Sequence, residues 1–305
     1  ARSRTNVCGY NAFHTAGGFM LRPSSTRPDS TLPPFDIWVF NELGKVGVQH
    51  TGYPVHSVYE DLTWDKTDTM SGAGDDWAYE HLGVFGWTTE FWDIIFHATG
   101  KHSPTDVWYV GPTPEQELAV CKWTDTHAPG AYATWKKFNH PQLGEIEIGG
   151  CDPIKTWSNA PASKLRDEVA PHVHFAIYQA LASPRLEIKR ANAESLGNGV
   201  YKVEIGIANT GWLGTEISEW AHKNKIVLPL TAEISGATLV EGAPRVKLGQ
   251  LDGRVKFRVS GDAKSDGTPD RVLHSWLIRG EKGQRVTLTA THQRAGVASA
   301  VVELP

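Results

Sequence analysis

The sequence predicts an α/β domain followed by an all-β sandwich. Strand-like and helix-like patterns alternate through residues 1–182. From about residue 184 they give way to short alternating strands separated by Gly, Asp, Asn and Pro, as in an antiparallel sandwich. The 305 residues suit two domains at roughly 100–200 residues each.

In order along the chain, "TNVCGYNAF" is a short apolar run suited to a buried strand that ends at His14. "PFDIWVFNELGKVG" places Ile37, Phe40 and Leu43 at helical spacing. "PVHSVYE" has a strand pattern, and "GDDWAYEHLG" opens with carboxylates and closes on Gly83, as a short helix does. "VFGWTTEFWD", rich in aromatic and β-branched residues, predicts a strand buried on both faces. "TPEQELAVCKW" carries Thr113 at an N-cap, Pro114 at the first helical position and Gln116 three residues after the cap. "SKLRDEVAPHVHFAIYQALA" is a last helix, bent at Pro171. The tail supplies seven strand candidates: "GVYKVEIGIANTG", "LPLTAEI", "PRVKLGQL", "VKFRVSG", "VLHSWLIRG", "RVTLTATHQ" and "ASAVVEL". They predict an immunoglobulin-like sandwich over 184–305.

Composition narrows the function classes. A net charge of −4 gives no basic footprint for nucleic acid. No run approaches the ~18 apolar residues of a membrane span. Cys8, Cys121 and Cys151 are an odd set without C-x-x-C spacing, so neither a disulfide framework nor a thiolate zinc site is indicated. Each reads as a small buried residue, although one pair can bridge if the protein is exported. The chain opens "ARSRTNVCGYNAFH", with neither an initiator Met nor a signal-peptide pattern. It reads as if entered in mid-domain, which leaves the compartment open, exported or periplasmic included.

Most of the 13 histidines are expected to be surface or satisfied core residues. His172 and His174 form an H-x-H pair, but two residues apart on a helix they point to nearly opposite sides. His14 stands out because it ends a strand just before small residues, and ligands of α/β sheets sit at the carboxyl ends of strands. Glu90 stands out because it interrupts a buried strand. Such a carboxylate needs a cationic partner, a metal or an opening to a cleft; in aromatic surroundings its raised pKa would suit general acid/base work. An ion pair with a core Arg or Lys is the structural alternative.

Together these residues resemble the zinc metallocarboxypeptidases related to carboxypeptidase A. In that family a strand ends in the third zinc-ligand histidine, followed by a small hydroxyl residue, as in His14-Thr15. A segment of the type S-G-[small]-x-x-D-W-x-Y follows, then a strand with the catalytic glutamate. Here "SGAGDDWAYEHLGVFGWTTEFWD" places Ser71, Gly72, Asp76, Trp77 and Tyr79 in register and puts Glu90 on the general base. The resemblance covers about residues 6–182, and "NTGW" with the β-rich tail resembles, more weakly, the C-terminal domain of one bacterial branch.

The resemblance implies a partial carboxypeptidase-like mixed sheet with flanking helices, one Zn2+ bound through His14, and a peptide substrate contacted by Thr15 and Asp75. Zinc would polarise the scissile carbonyl and lower the pKa of its bound water, and Glu90 would shuttle the proton to the departing amine. Asp75 precedes the Asp-Trp pair, where the family lines its specificity pocket; a carboxylate there would favour a basic C-terminal residue, while the plainer reading is that both aspartates serve the helix start. The family's H-x-x-E ligand pair is absent: no histidine has Glu three residues later, and His56 with Glu60 is four apart and in the wrong order. The carboxylate-binding arginines likewise lie upstream in the family. The clamping tyrosine is replaced by "WDKTDTM", with Trp64 and Asp68 nearest.

The expectation is therefore the C-terminal part of a carboxypeptidase domain, inactive without a missing N-terminal segment of the same domain. The rivals are a related amidohydrolase acting on cell-wall peptides or N-acyl amino acids, and a non-catalytic binding protein with a degenerate peptidase fold.

Overall fold

The computed structural model describes residues 3–256 and 269–305, and its fold is mixed α/β with several sheets. The chain divides into a site unit, Asn11–Trp77 with Gly86–Ile177, and a β-rich unit, Ala1–Tyr10 with Ala78–Phe85 and Tyr178–Pro305.

In the site unit the end of the apolar run before His14 forms β1 (Tyr10–Thr15), which lies at the sheet edge, half-buried and then exposed rather than buried as expected. The chain returns at once as β2 (Phe19–Arg22). The helical spacing of Phe40 and Leu43 is realised in α1 (Pro34–Thr51), which buries Val39, Phe40 and Leu43. "PVHS" gives the short β3 (Val55–Ser57), and the acidic "GDDW" gives α2 (Gly74–Trp77). The aromatic run forms β4 (Gly86–Phe91), and the sheet order is β1-β4-β2-β3. β2 runs parallel to β3 and antiparallel to β4. The Trp87 ring meets Phe40 and Phe175 edge-on, each at 5.5 Å, packing α1 and the last helix on β4.

Beyond β4 come α3 (Ile94–Thr99), α4 (Val107–Val110) and α5 (Pro114–His127). The expected cap of α5 is a full capping box: the Gln116 N–H donates to Thr113, and the Gln116 side chain accepts the Thr113 N–H at 2.8 Å. A two-stranded ribbon, β5 (Tyr132–His140) and β6 (Gly144–Cys151), follows with α6 (Pro153–Thr156). The last helix, α7 (Ala162–Leu181), contains Pro171 as expected.

The β-rich unit holds β7 (Leu186–Gly197), β8 (Val200–Asn209), α8 (Glu219–Lys223), β9 (Leu230–Ser235), β10 (Thr238–Leu239), β11 (Arg245–Gly249), β12 (Arg271–Arg279), β13 (Arg285–His292) and β14 (Gly296–Glu303). Two antiparallel sheets, β10-β12-β8-β7 and β11-β9-β13-β14, share one core. Ile205, Ile207 and Ile278 enter it from one sheet and Leu230, Val286 and Leu288 from the other. Of the expected strand "VKFRVSG", Val255 and Lys256 lie in a short helical turn and the rest lies outside the described residues. β7 was not expected, because half of "LEIKRANAESLG" is polar or charged and most of it is exposed. No helix among the described residues is long and apolar enough to cross a membrane.

The expected division at 182–184 falls close to Tyr178, yet residues 78–85 also belong to the β-rich unit. Buried carbonyls explain why. Arg294, 8% exposed, donates to the carbonyls of Leu82, of Gly83 at 3.4 Å and of Glu216 at 3.0 Å. Ser218 Oγ donates to Gly83 O at 2.8 Å, and the Trp220 indole N–H to Glu80 O at 3.1 Å. Gly83 has φ +64°, and a Cβ there would lie 2.5 Å from the Cβ of Ala221. Arg294→Ala removes the side-chain donor to the carbonyls of Leu82 and Glu216 and should cost about 2–4 kcal/mol in urea unfolding. Gly83→Ala should also destabilise, through both clash and backbone strain. Unchanged midpoints would show that this segment is not held by the β-rich unit.

Candidate active site

His14 and Glu90 each occupy the penultimate position of their strand, on neighbours β1 and β4. The strand pairing brings His14 Nδ1 to 3.6 Å from Glu90 Oε1. That is ion-pair range but long for a hydrogen bond. His14 is largely exposed, whereas the Glu90 side chain is 17% exposed. Among the described residues, the ion-pair partner of Glu90 is His14 rather than a core Arg or Lys, with Asp75 also close enough to act on it.

Both line a cavity of about 410 Å³. Thr15 and Asp75 line it too, so the four residues singled out in the sequence share one wall system. Phe19, Leu21, Val58 and Leu62 supply apolar walls. Tyr109 and Met70, both partly exposed, complete the lining, and the Tyr109 ring lies 5.8 Å from that of Trp64. A mostly apolar hollow with a few convergent polar groups is the usual form of a small-ligand site.

The glycines after His14 have a geometric reason. Gly17 and Gly18 donate their N–H groups to Trp92 O at 3.0 Å and Glu90 O at 2.7 Å. Gly18 has φ +69°, and a Cβ on it would lie 2.5 Å from Asp93 Cβ. Only glycine lets the chain turn this close to β4.

The two aspartates of α2 have different tasks. Asp76 accepts the Ser25 N–H with both oxygens at 3.0 Å. Asp75, 2% exposed, accepts the Asp76 N–H through Oδ1, while its Oδ2 is buried without a hydrogen-bond partner. Burial, then the Asp76 charge, push the Asp75 carboxyl from about 3.8 up to about 6, with His14 pulling the other way. Burial also raises Glu90, opposed by His14 and reinforced by Asp75.

Behind Glu90 lies a network that sequence reasoning missed. Tyr53 OH accepts the Trp92 N–H at 2.9 Å and donates to Glu168, whose other oxygen lies 3.2 Å from His97 Nε2. His97 stacks on Trp92 at 4.5 Å. His172 packs edge-on against Phe91 and Tyr53, both at 4.7 Å, with neither ring nitrogen hydrogen-bonded, and burial lowers it to about 4. His172 is buried and His174 exposed, on different sides of α7. No local signal marked this network, since Glu168 sits in the charged stretch "KLRDE" of α7 and looks there like any exposed acid. His56 pairs with Asp61 at 3.5 Å, while Glu60 accepts the Asp29 N–H, so these two do not act together.

A family model described as a domain of unknown function, DUF8731, matches residues 185–303, the β-rich tail. No curated protein matches the chain.

Among the described residues no group of three or more His, Cys, Asp or Glu side chains gathers to hold a metal ion. His14 offers one exposed imidazole donor, so these residues fit one position of a three-ligand zinc shell and not the shell itself.

Folding favours protonated Asp75. Its stabilising contribution is therefore complete below about pH 4 and lost as the pH rises through about 6. Asp75→Asn keeps the Oδ1 acceptor and has no charge to bury. It should match wild type near pH 4 and exceed it at pH 7 by about 2–3 kcal/mol, read by urea unfolding across pH. A pH-independent difference would contradict the assignment.

Proposed function

We propose that the chain carries the C-terminal part of a zinc metallocarboxypeptidase domain, which hydrolyses the C-terminal peptide bond of peptides when a further segment supplies the remaining zinc ligands. The observation that carries the reading is the meeting of His14 and Glu90, 3.6 Å apart at two strand ends on one cavity wall. Glu90 is a desolvated carboxylate open to that cavity. It would take a proton from the attacking water at a carboxylate oxygen and return it to the departing amine. His14 would hold the metal, whose Lewis acidity requires ligands from outside the described residues.

Two surfaces support a further segment. β1 stands at the edge of its sheet with its last three residues exposed. Along α7, Leu165, Val169, Val173 and Ile177 are exposed at four-residue spacing, an apolar stripe on one helix face. The cavity also suggests a preference. Among the described residues no lysine or arginine lines it, and the unpartnered Asp75 oxygen would pair with the ammonium or guanidinium of a C-terminal Lys or Arg.

The 305-residue chain alone should release no C-terminal residue. Co-production with a segment carrying H-x-x-E should restore release, followed by mass spectrometry of the peptide products. In that active form Glu90→Gln should lower the rate by about 10²–10⁴-fold or more without lowering zinc content. Near-wild-type turnover of the variant would sink the role of Glu90, and turnover confined to cell-wall peptides would favour the amidohydrolase. C-terminal Lys and Arg peptides should outpace Phe peptides by about tenfold or more, and Asp75→Asn should erase the difference. Equal rates in the parent enzyme would remove Asp75 from specificity.

A further inference from the structure

Cys121 lies on α5 and Cys151 ends β6, 30 positions apart, yet their Sγ atoms are 3.7 Å apart. Both are half-buried thiols. The gap is about 1.7 Å longer than the S–S bond of a disulfide, within reach of small side-chain rotations. We infer that Cys121 and Cys151 are a modification site, the two halves of an intramolecular disulfide that fastens the β5–β6 ribbon to α5.

The ribbon needs such a fastening. β5 is exposed at eight of nine residues and β6 at five of eight. An isolated two-stranded ribbon is marginal in water. Its open end is pinned by the Asp152 N–H, which donates to Ala131 O at 2.7 Å, and Cys151 lies next to that bond in sequence. On the other side, Cys121 follows Val120, the α5 residue in the small core of Trp92, Ile94 and Ile95. The bond would therefore tie the exposed ribbon to the core directly behind the strand that carries Glu90.

The chemistry balances as thiol–disulfide exchange. Cys121 and Cys151 lose two hydrogens as the S–S bond forms. An oxidising disulfide, either glutathione disulfide or that of a thiol oxidoreductase, takes them up as two thiols. Burial, then the Cys121 contact, push the Cys151 thiol well above its ordinary range, so uncatalysed exchange should be slow at neutral pH and quicken as pH rises. A bond of this kind persists in an oxidising compartment and is kept reduced in a glutathione-rich one. Cys8 has a separate environment, its Sγ against the Arg294 carbonyl at 3.5 Å.

The test uses the intact chain equilibrated in glutathione buffers from reducing to oxidising, quenched in acid, denatured and alkylated. In reducing buffer three cysteines should be labelled. In oxidising buffer only Cys8 should be, with tryptic peptides 102–122 and 138–155 recovered as one linked species that dithiothreitol separates. Limited trypsin on the folded protein should cut after Lys136 or Lys137 at least tenfold faster in the reduced form. Cys8→Ser should leave the linkage intact. Three labels at every poise, a linkage involving Cys8, or cleavage rates indifferent to oxidation would each overturn the inference.

Discussion

Gly17 and Gly18 give their backbone N–H groups to the carbonyls of Trp92 and Glu90, and the candidate site is organised around that pair of bonds. They anchor the turn after His14 against the end of β4, so the two side chains at the strand ends face one cavity. The same corner includes Asp93, whose carboxylate caps α3 through the Phe96 N–H and also accepts from Ser103. A side chain at Gly18 would press on Asp93 and disturb strand end, turn and helix start together. From behind, Tyr53 holds the Trp92 N–H and is itself held by Glu168. The position of Glu90 is thus set by backbone bonds around the strand end rather than by its own side chain, which faces His14 and the cavity.

The electrostatics follow from how each carboxylate is satisfied. Asp76 spends both oxygens on a backbone N–H and serves as a structural anchor. Among the described residues, Asp75 keeps one buried oxygen without a hydrogen-bond partner, and Glu90 faces an exposed imidazole across a gap. Two desolvated acids therefore stand beside one histidine on the wall of the cavity, and burial raises both carboxyls.

Much of this was legible in the sequence because it is local. The strand before His14, the amphipathic α1, the capping box at Thr113 and the last helix with Pro171 all follow from residue spacing and caps. The elements that were not read are those whose signal is short or polar. β2 is four residues long, β7 is half charged or polar and mostly exposed, and the β5–β6 ribbon packs so little that its pattern marks no core. Residues 78–85 looked like part of the first half, since nothing local reveals that their carbonyls are satisfied by Arg294, more than 200 positions away.

The sequence by itself determined the elements with a strong local pattern and offered four residues worth testing, His14, Thr15, Asp75 and Glu90. His14 and Glu90 stand out through local anomalies, a histidine at a strand end and a carboxylate within an apolar run, whereas Thr15 and Asp75 were singled out by the resemblance to metallocarboxypeptidases. Only the tertiary structure decided that all four line one cavity, that Asp75 rather than Asp76 is left with an unpartnered oxygen, and that Tyr53, His97 and Glu168 stand behind Glu90. It also brought Cys121 to Cys151 across 30 positions. The physical reason is range. Propensity, capping and periodicity act within a few residues, whereas desolvation and partnering depend on which distant segments the packed core brings together.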